Sequence, residues 1–139
     1  MHHEATCEWK GGFEFDGTIE GFHITLDGAH KDGSPMKGPT PKPLLLLATA
    51  GCTGMDVVLM LEKMQVKPDS FSIDVKADGG DEHPKVYTDM KIIYRFTGEG
   101  LEASRDKIER AVSLSQEKYC GVSTMLRKAM EVSTEILIN

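Results

Sequence analysis

Residues 44–64 read LLLLATAGCTGMDVVLMLEKM, and this apolar run decides the fold. It is long enough for about six helical turns. A helix that is hydrophobic on nearly every face must be covered on all sides. A chain of 139 residues can build one core, but a single modest sheet covers only one side of such a helix. The sequence therefore favours an obligate homodimer in which a second copy covers the other side. A monomer with long loops folded over the helix is the alternative.

Short segments of alternating apolar and polar residues surround this run and predict strands. Strands are predicted over residues 5–10, 13–17, 22–26, 71–77, 86–96 and 132–138, and further helices over 101–119 and 121–130. Residues 28–43 are rich in Gly and Pro and predict an irregular loop, ending in Thr40 as helix N-cap and Pro41 as first helical residue. The order predicts one α+β domain over residues 1–139, with antiparallel sheets around the central buried helix.

Charge and motif content exclude several function classes. The net charge is −6 with no local basic cluster, which argues against nucleic-acid binding. Asp56, Glu62 and Lys63 make residues 44–64 a poor membrane span. The first residues lack the basic and apolar regions of a signal peptide, so we expect a reducing cytoplasmic setting. The five histidines show no metal-ligand spacing and no nucleotide-binding glycine motif is present, so we expect neither metal nor cofactor.

The chain has three cysteines, an odd number without C-x-x-C spacing. Cys7 shares a predicted strand face with Trp9 and is expected to be a small buried hydrophobe. Cys52 lies in the middle of the central helix, where burial and Asp56 one turn later both disfavour a thiolate. Cys120 falls at the start of the last predicted helix, where the helix dipole favours a thiolate. Taken alone, the spacing favours core cysteines over a working thiol pair.

Two segments around these cysteines change that balance. AGCTGMDVV at residues 50–58 and SQEKYCGV at residues 115–122 together resemble the OsmC/Ohr family, particularly its YhfA-like branch. The resemblance extends over essentially the whole chain, because the predicted elements also follow the family's order. It implies an α+β OsmC-like fold in which two chains intertwine, with the cysteine helices sandwiched between sheets.

The resemblance also implies an activity: reduction of hydroperoxides in oxidative stress defence. By position, Cys52 resembles the family's peroxidatic cysteine, whose thiolate attacks the peroxide and becomes a sulfenic acid. Cys120 resembles the resolving cysteine, which forms a disulfide with it, and an external dithiol then reduces the pair. Apolar surroundings of Cys52 would suit organic hydroperoxides better than hydrogen peroxide.

The sequence departs from the family pattern at two places. Peroxidase members use an arginine in the N-terminal strands, whereas no arginine precedes Arg95 here. They also carry a glutamate where this chain has Lys42. Lys42, Glu117 and Lys118 are therefore expected to be supporting residues. The alternative function is a non-catalytic dimer that binds a small hydrophobic or thiol metabolite or senses redox state; in a third interpretation both cysteines are only core residues.

Overall fold

The computed structural model describes all 139 residues, which form two compact units, Met1–Leu45 and Leu46–Asn139. The first unit contains an antiparallel meander of β1 (Ala5–Gly11), β2 (Glu14–Ile19) and β3 (Phe22–Leu26), in that order. The three predicted strands are thus present, and Gly11 and Gly12 adopt the positive φ angles that their tight turn requires. Cys7 differs from expectation: all of β1 is exposed in this chain, the Cys7 side chain included.

The loop after β3 is irregular, as predicted, but it is organised around one carboxylate. Asp27 is 2% exposed and accepts hydrogen bonds from the backbone N–H groups of Gly28 (2.7 Å) and Lys37 (3.0 Å). The Gly28 N–H donates to Oδ1 and the Lys37 N–H to Oδ2, and Oδ2 also lies 2.9 Å from His30 Nε2. The backbone donors of Lys37 and Gly28 lower the pKa of Asp27, because they stabilise the charged form.

Helix α1 spans Leu44–Lys63 and begins later than the sequence predicted. Thr40 and Pro41 do not start it; residues 41–43 form a turn in which the N–H of Leu44 donates to the Pro41 carbonyl at 3.1 Å. Pro43 is the physical reason, because a proline disfavours the helical conformation in the residue before it.

One stripe of α1 is buried within the chain. Its members recur every four residues, the spacing of one helix face; they are Thr49, Thr53, Val57 and Leu61. The opposite side is exposed, with Met55 at 77% and Leu47 at 69%. By length and mean hydropathy α1 also meets the composition test for a bilayer-spanning helix, a test that helices packed inside proteins pass as well.

The second sheet has the order β4-β5-β6, formed by β4 (Ser70–Gly79), β5 (Tyr87–Thr97) and β6 (Glu131–Ile138). β4 and β5 are antiparallel, as predicted. The prediction of purely antiparallel sheets is wrong for β6, which runs parallel to β5. The helical segment between β5 and β6 is the reason, because it crosses over the sheet and returns the chain in the same direction.

That connection contains four pieces where the sequence predicted two helices. They are a 3-10 turn (Leu101–Ser104), α2 (Arg105–Leu114), a π-helical turn (Ser115–Tyr119) and α3 (Gly121–Arg127). The Cys120 N–H donates to the Ser115 carbonyl at 2.7 Å, five residues back, which closes the π turn. Such turns are rare and frequently occur at functional sites. The core lies between α1, α2 and one face of β5, where Tyr94 and Phe96 are fully buried.

Candidate active site at the two cysteines

Cys52 and Cys120 come together although they belong to distant segments. Cys52 lies in α1, and Cys120 is the N-cap of α3 directly after the π turn. Cys120 is close enough to be among the groups that raise the pKa of Cys52, and both thiols are free rather than joined in a disulfide. The structure therefore places the two residues singled out by the resemblance side by side.

The Cys120 sulfur is fully buried and held by the first turn of α3. The backbone N–H of Ser123 donates to Cys120 Sγ at 3.4 Å, and Ser123 Oγ lies 3.1 Å from the same sulfur. The Cys120 carbonyl accepts from the Thr124 hydroxyl at 2.9 Å. These contacts fix the thiol on the side where it meets Cys52.

Cys52 is half-buried, and its surroundings disfavour the thiolate. Burial raises the pKa of Cys52, and the neighbouring Cys120 and Asp56 raise it further. The backbone N–H of Val122 acts in the opposite direction by donating to the sulfur. None of these groups is a cation, in line with the expectation from the sequence that Asp56 and burial oppose ionisation.

A buried chain of polar side chains runs beside the thiol pair. Thr53 Oγ1 lies 2.7 Å from both Tyr94 Oη and Ser115 Oγ, and Ser115 in turn donates to Asp56 Oδ2 at 2.8 Å. Gln116 Nε2 donates to Tyr94 Oη at 2.9 Å and lies 3.2 Å from Thr53 Oγ1. Every buried side-chain nitrogen and oxygen has a hydrogen-bond partner, so the network is fully satisfied.

Arg127 closes one end of this chain. Its Nη1 donates to the Gln116 carbonyl at 2.8 Å, and its Nη2 donates to Gln116 Oε1. Gln116 Nε2 also lies 3.4 Å from Ser123 Oγ, which connects the chain to the Cys120 sulfur. Both contacts of Arg127 are therefore made to Gln116.

Two of the three predicted supporting residues, Glu117 and Lys118, contact neighbours other than the two thiols. Glu117 accepts from the Ser113 hydroxyl at 3.1 Å, and the Lys118 ammonium lies over the Tyr119 ring. Lys42 lies in the turn that precedes α1. Their support of the thiols stays a prediction. No group of three or more His, Cys, Asp or Glu side chains is placed to hold a metal ion.

Sequence reasoning missed the residues of the polar chain: Thr53, Tyr94, Ser115, Gln116 and Ser123. One signal for them was visible. Two threonines stand four residues apart in an otherwise apolar helix, on the same stripe as Val57. A polar group on a buried stripe requires a partner, so Thr53 implied further buried hydroxyls or amides.

Two cavities flank α1. One of 410 Å³ is lined by Asp56, one turn from Cys52, by Tyr119, next to Cys120, and by the apolar side chains Met60, Met64 and Leu114. The other is an open, mainly apolar groove of 580 Å³ between α1 and β4, with Met55, Val58 and Ile73 among its walls. Both have room for a small organic molecule.

The model of the OsmC-like protein family matches residues 31–135. The chain belongs to this family. The Escherichia coli (strain K12) protein YhfA is 32% identical over 131 residues, which cover 94% of this chain and 93% of YhfA. A hypothetical protein from Aquifex aeolicus VF5 is 28% identical with a TM-score of 0.82, covering 100% and 98% of the two chains.

Other solved OsmC-like structures share the fold at lower identity. An OsmC-like protein from Mycoplasma pneumoniae has a TM-score of 0.83 at 15% identity, with 99% of this chain and 97% of that chain covered. The organic hydroperoxide resistance protein OhrB of Bacillus subtilis has a TM-score of 0.62 at 18% identity, with 98% of both chains covered. The α+β OsmC-like fold implied by the resemblance is thereby confirmed.

Proposed function

We propose that this protein is a thiol-dependent peroxidase that reduces organic hydroperoxides through Cys52 and Cys120 in the cytoplasm. One observation carries the proposal: a half-buried thiol and a fully buried thiol from distant segments lie close enough for Cys120 to affect the pKa of Cys52. Two core cysteines without chemistry have no need to meet. The similarity to structures described as organic hydroperoxide resistance proteins supports the choice of substrate class.

The reaction balances with two thiols and an external dithiol. The Cys52 sulfur attacks the peroxide O–O bond, giving a Cys52 sulfenic acid and an alcohol, with the thiol proton passing to the alkoxide. The Cys120 sulfur then attacks the sulfenic sulfur, forming the disulfide and releasing water. An external dithiol reduces the disulfide by exchange and restores both thiols. The apolar side chains of the cavity beside Asp56 and Tyr119 favour the organic part of the substrate over water.

A homodimer is part of the proposal, because α1 is covered on one stripe only in a single chain. Large apolar side chains are exposed on its remaining surface; they include Leu47, Met55, Val58 and Leu59. Contiguous apolar surface of this kind marks an association site. A second copy, placing its own α1 and sheets against this surface, encloses the helix on all sides.

Peroxide titration tests the enzymatic part. Reduced protein is treated with a modest excess of cumene hydroperoxide, and free thiols are counted before and after addition of dithiothreitol. We expect two thiols per chain to disappear and to return. Cys52→Ser should abolish the loss, Cys120→Ser should leave a sulfenic acid that dimedone traps, and the matched control Cys7→Ser should behave as the parent. Survival of both thiols in the parent protein contradicts the proposal.

A second function, binding of a small hydrophobic or thiol metabolite without turnover, is favoured by one observation. The groups that most affect Cys52 include no cation, and the net effect is to raise its pKa. This function predicts that a hydrophobic thiol protects Cys52 from alkylation while peroxide leaves it reduced. The same thiol count, with and without that ligand, separates the two functions.

A further inference from the structure

The directions of the hydrogen bonds around Gln116 are fixed by the donor at one end of the polar chain. A guanidinium has donors only, so the Gln116 atom that contacts Arg127 Nη2 must be the amide oxygen. The amide nitrogen therefore faces the interior, towards Tyr94 at 2.9 Å and Ser123 at 3.4 Å. An amide nitrogen donates and does not accept.

The other end of the chain gives the same orientation independently. Ser115 uses its single hydrogen on Asp56 Oδ2, so it must accept from the Thr53 hydroxyl. Thr53 in turn must accept from Tyr94 Oη, because its own hydrogen is used. Burial raises the pKa of Tyr94, which keeps that hydrogen in place. Tyr94 Oη is then left to accept from Gln116 Nε2.

The hydroxyl of Ser123 is oriented as a consequence. On one side it faces the amide nitrogen of Gln116, which cannot accept its hydrogen. On the other side it faces Cys120 Sγ at 3.1 Å. The Ser123 hydrogen therefore points at the sulfur, which also receives the Ser123 backbone N–H at 3.4 Å.

We infer that Gln116, held by Arg127, is a positioning residue that turns the Ser123 hydroxyl to donate to the Cys120 sulfur. Hydrogen bonds donated to a sulfur stabilise its thiolate, the form that attacks in thiol exchange. Gln116 thereby prepares Cys120 for disulfide formation with Cys52. The inference rests on the proposed role of Cys120 as resolving thiol.

A two-step disulfide reagent tests this without peroxide. In a Cys7→Ser background, dithiodipyridine first reacts with the half-buried Cys52, forming a mixed disulfide and releasing one thiopyridone. The Cys120 sulfur then attacks Cys52 Sγ, forming the protein disulfide and releasing the second thiopyridone. The rate of the second release reports Cys120, and the rate of the first is an internal control. Peroxide inactivity would refute the proposed function while leaving this assay intact.

Gln116→Glu is the informative variant, because it keeps the shape but replaces the inward donor by an acceptor. The Ser123 hydrogen should then turn towards residue 116 and away from Cys120. Loss of one hydrogen-bond donor to the attacking sulfur slows the second release about three- to tenfold. Ser123→Ala should slow it by a similar factor.

The double variant separates positioning from other effects. If Gln116 acts through Ser123, adding Gln116→Glu to Ser123→Ala changes the second release little further. Equal slowing by Gln116→Glu in both backgrounds overturns the inference, because it indicates a direct effect of the new charge or of altered packing. An unchanged rate in Gln116→Glu also overturns it. If that variant does not fold, Arg127→Leu combined with Tyr94→Phe, which removes one orienting contact at each end of the amide, enters the same cycle with the same two readings.

Discussion

Thr53→Val breaks the polar chain at its centre and gives the most quantitative test of the network. Valine has the shape of threonine without the hydroxyl. Thr53 is 0% exposed, and its Oγ1 contacts Tyr94, Ser115 and Gln116 at 2.7, 2.7 and 3.2 Å. The substitution leaves the Tyr94 O–H without an acceptor and Ser115 without a donor. Two buried groups stranded in this way lower the free energy of unfolding by about 2–4 kcal/mol.

Tyr94→Phe removes the hydroxyl that contacts Thr53. It should lower the free energy of unfolding less than Thr53→Val does. Thr53 still donates to Ser115 and accepts from Gln116, and Gln116 keeps Thr53 and Ser123, so no group is stranded. The stacking of ring 94 on Phe71 is retained. The loss of two net hydrogen bonds lowers the free energy of unfolding by about 1–2 kcal/mol. In the Phe background Thr53→Val leaves Ser115 without its donor and also leaves Gln116 Nε2 without Tyr94 and Thr53 as acceptors, so the losses of the two single variants should be roughly additive.

Urea unfolding followed by circular dichroism at fixed protein concentration measures all three variants, since stability of an associating chain depends on concentration. Thr97→Val is the matched control, because Thr97 makes an exposed hydroxyl contact with Ser70 in the same sheet. Its change should stay within about 0.5 kcal/mol. A loss of stability in Thr53→Val no larger than that of the Thr97→Val control would refute the reasoning.

Three further predictions concern ionisation and association. Asp56 is among the groups that raise the pKa of Cys52, so Asp56→Asn should lower it and speed alkylation of Cys52 by iodoacetamide at neutral pH; the gain should disappear at alkaline pH, where the thiol is ionised in both proteins. The pKa of Asp27 is lowered in the folded state, so its carboxylate stabilises the fold at pH values above the unfolded-state pKa. This contribution is lost as the pH falls through the folded-state pKa. Acid titration should therefore destabilise the parent more steeply than Asp27→Asn. Met55→Glu places a charge on the exposed apolar side of α1 and should halve the mass measured by light scattering; an unchanged mass would contradict the dimer.

Hydrophobic periodicity predicted the strands and α1 well, because an element with one buried face has apolar residues at regular intervals in the sequence. All six strands and α1 are present at or near their predicted residues. Two features of the fold are not recorded in such a pattern of apolar residues. The π turn at Ser115–Tyr119 has four polar residues before Tyr119, so hydrophobic periodicity does not distinguish it from the end of α2. The parallel pairing of β6 depends on the path of the crossover, which no residue of β6 encodes.

The site was predictable only in part, for a related reason. The sequence segments around Cys52 and Cys120 identified the two cysteines through the family resemblance. Their spacing alone did not predict that they are close in space, since long-range contacts depend on the whole fold. The polar residues around the thiols could not be predicted, because each of them alone is compatible with an ordinary structural role. Gln116 resembles a surface residue of a helix, yet it is 6% exposed and contacts four side chains.

Stability and thiol chemistry are joined in this molecule through one residue. Thr53 follows Cys52 in α1 and belongs to the stripe that packs α1 on the core. An apolar residue there would avoid the cost of burying a hydroxyl, which a satisfied network only offsets. The network does more than offset that cost, because its hydrogen bonds run in one direction from Arg127 to Asp56. That direction sets which atoms of Gln116 and Ser123 face the Cys120 sulfur. Substitutions that preserve packing but remove the direction from both ends, such as Thr53→Val and Tyr94→Phe combined with Arg127→Leu, should therefore change disulfide formation more than their effect on stability predicts.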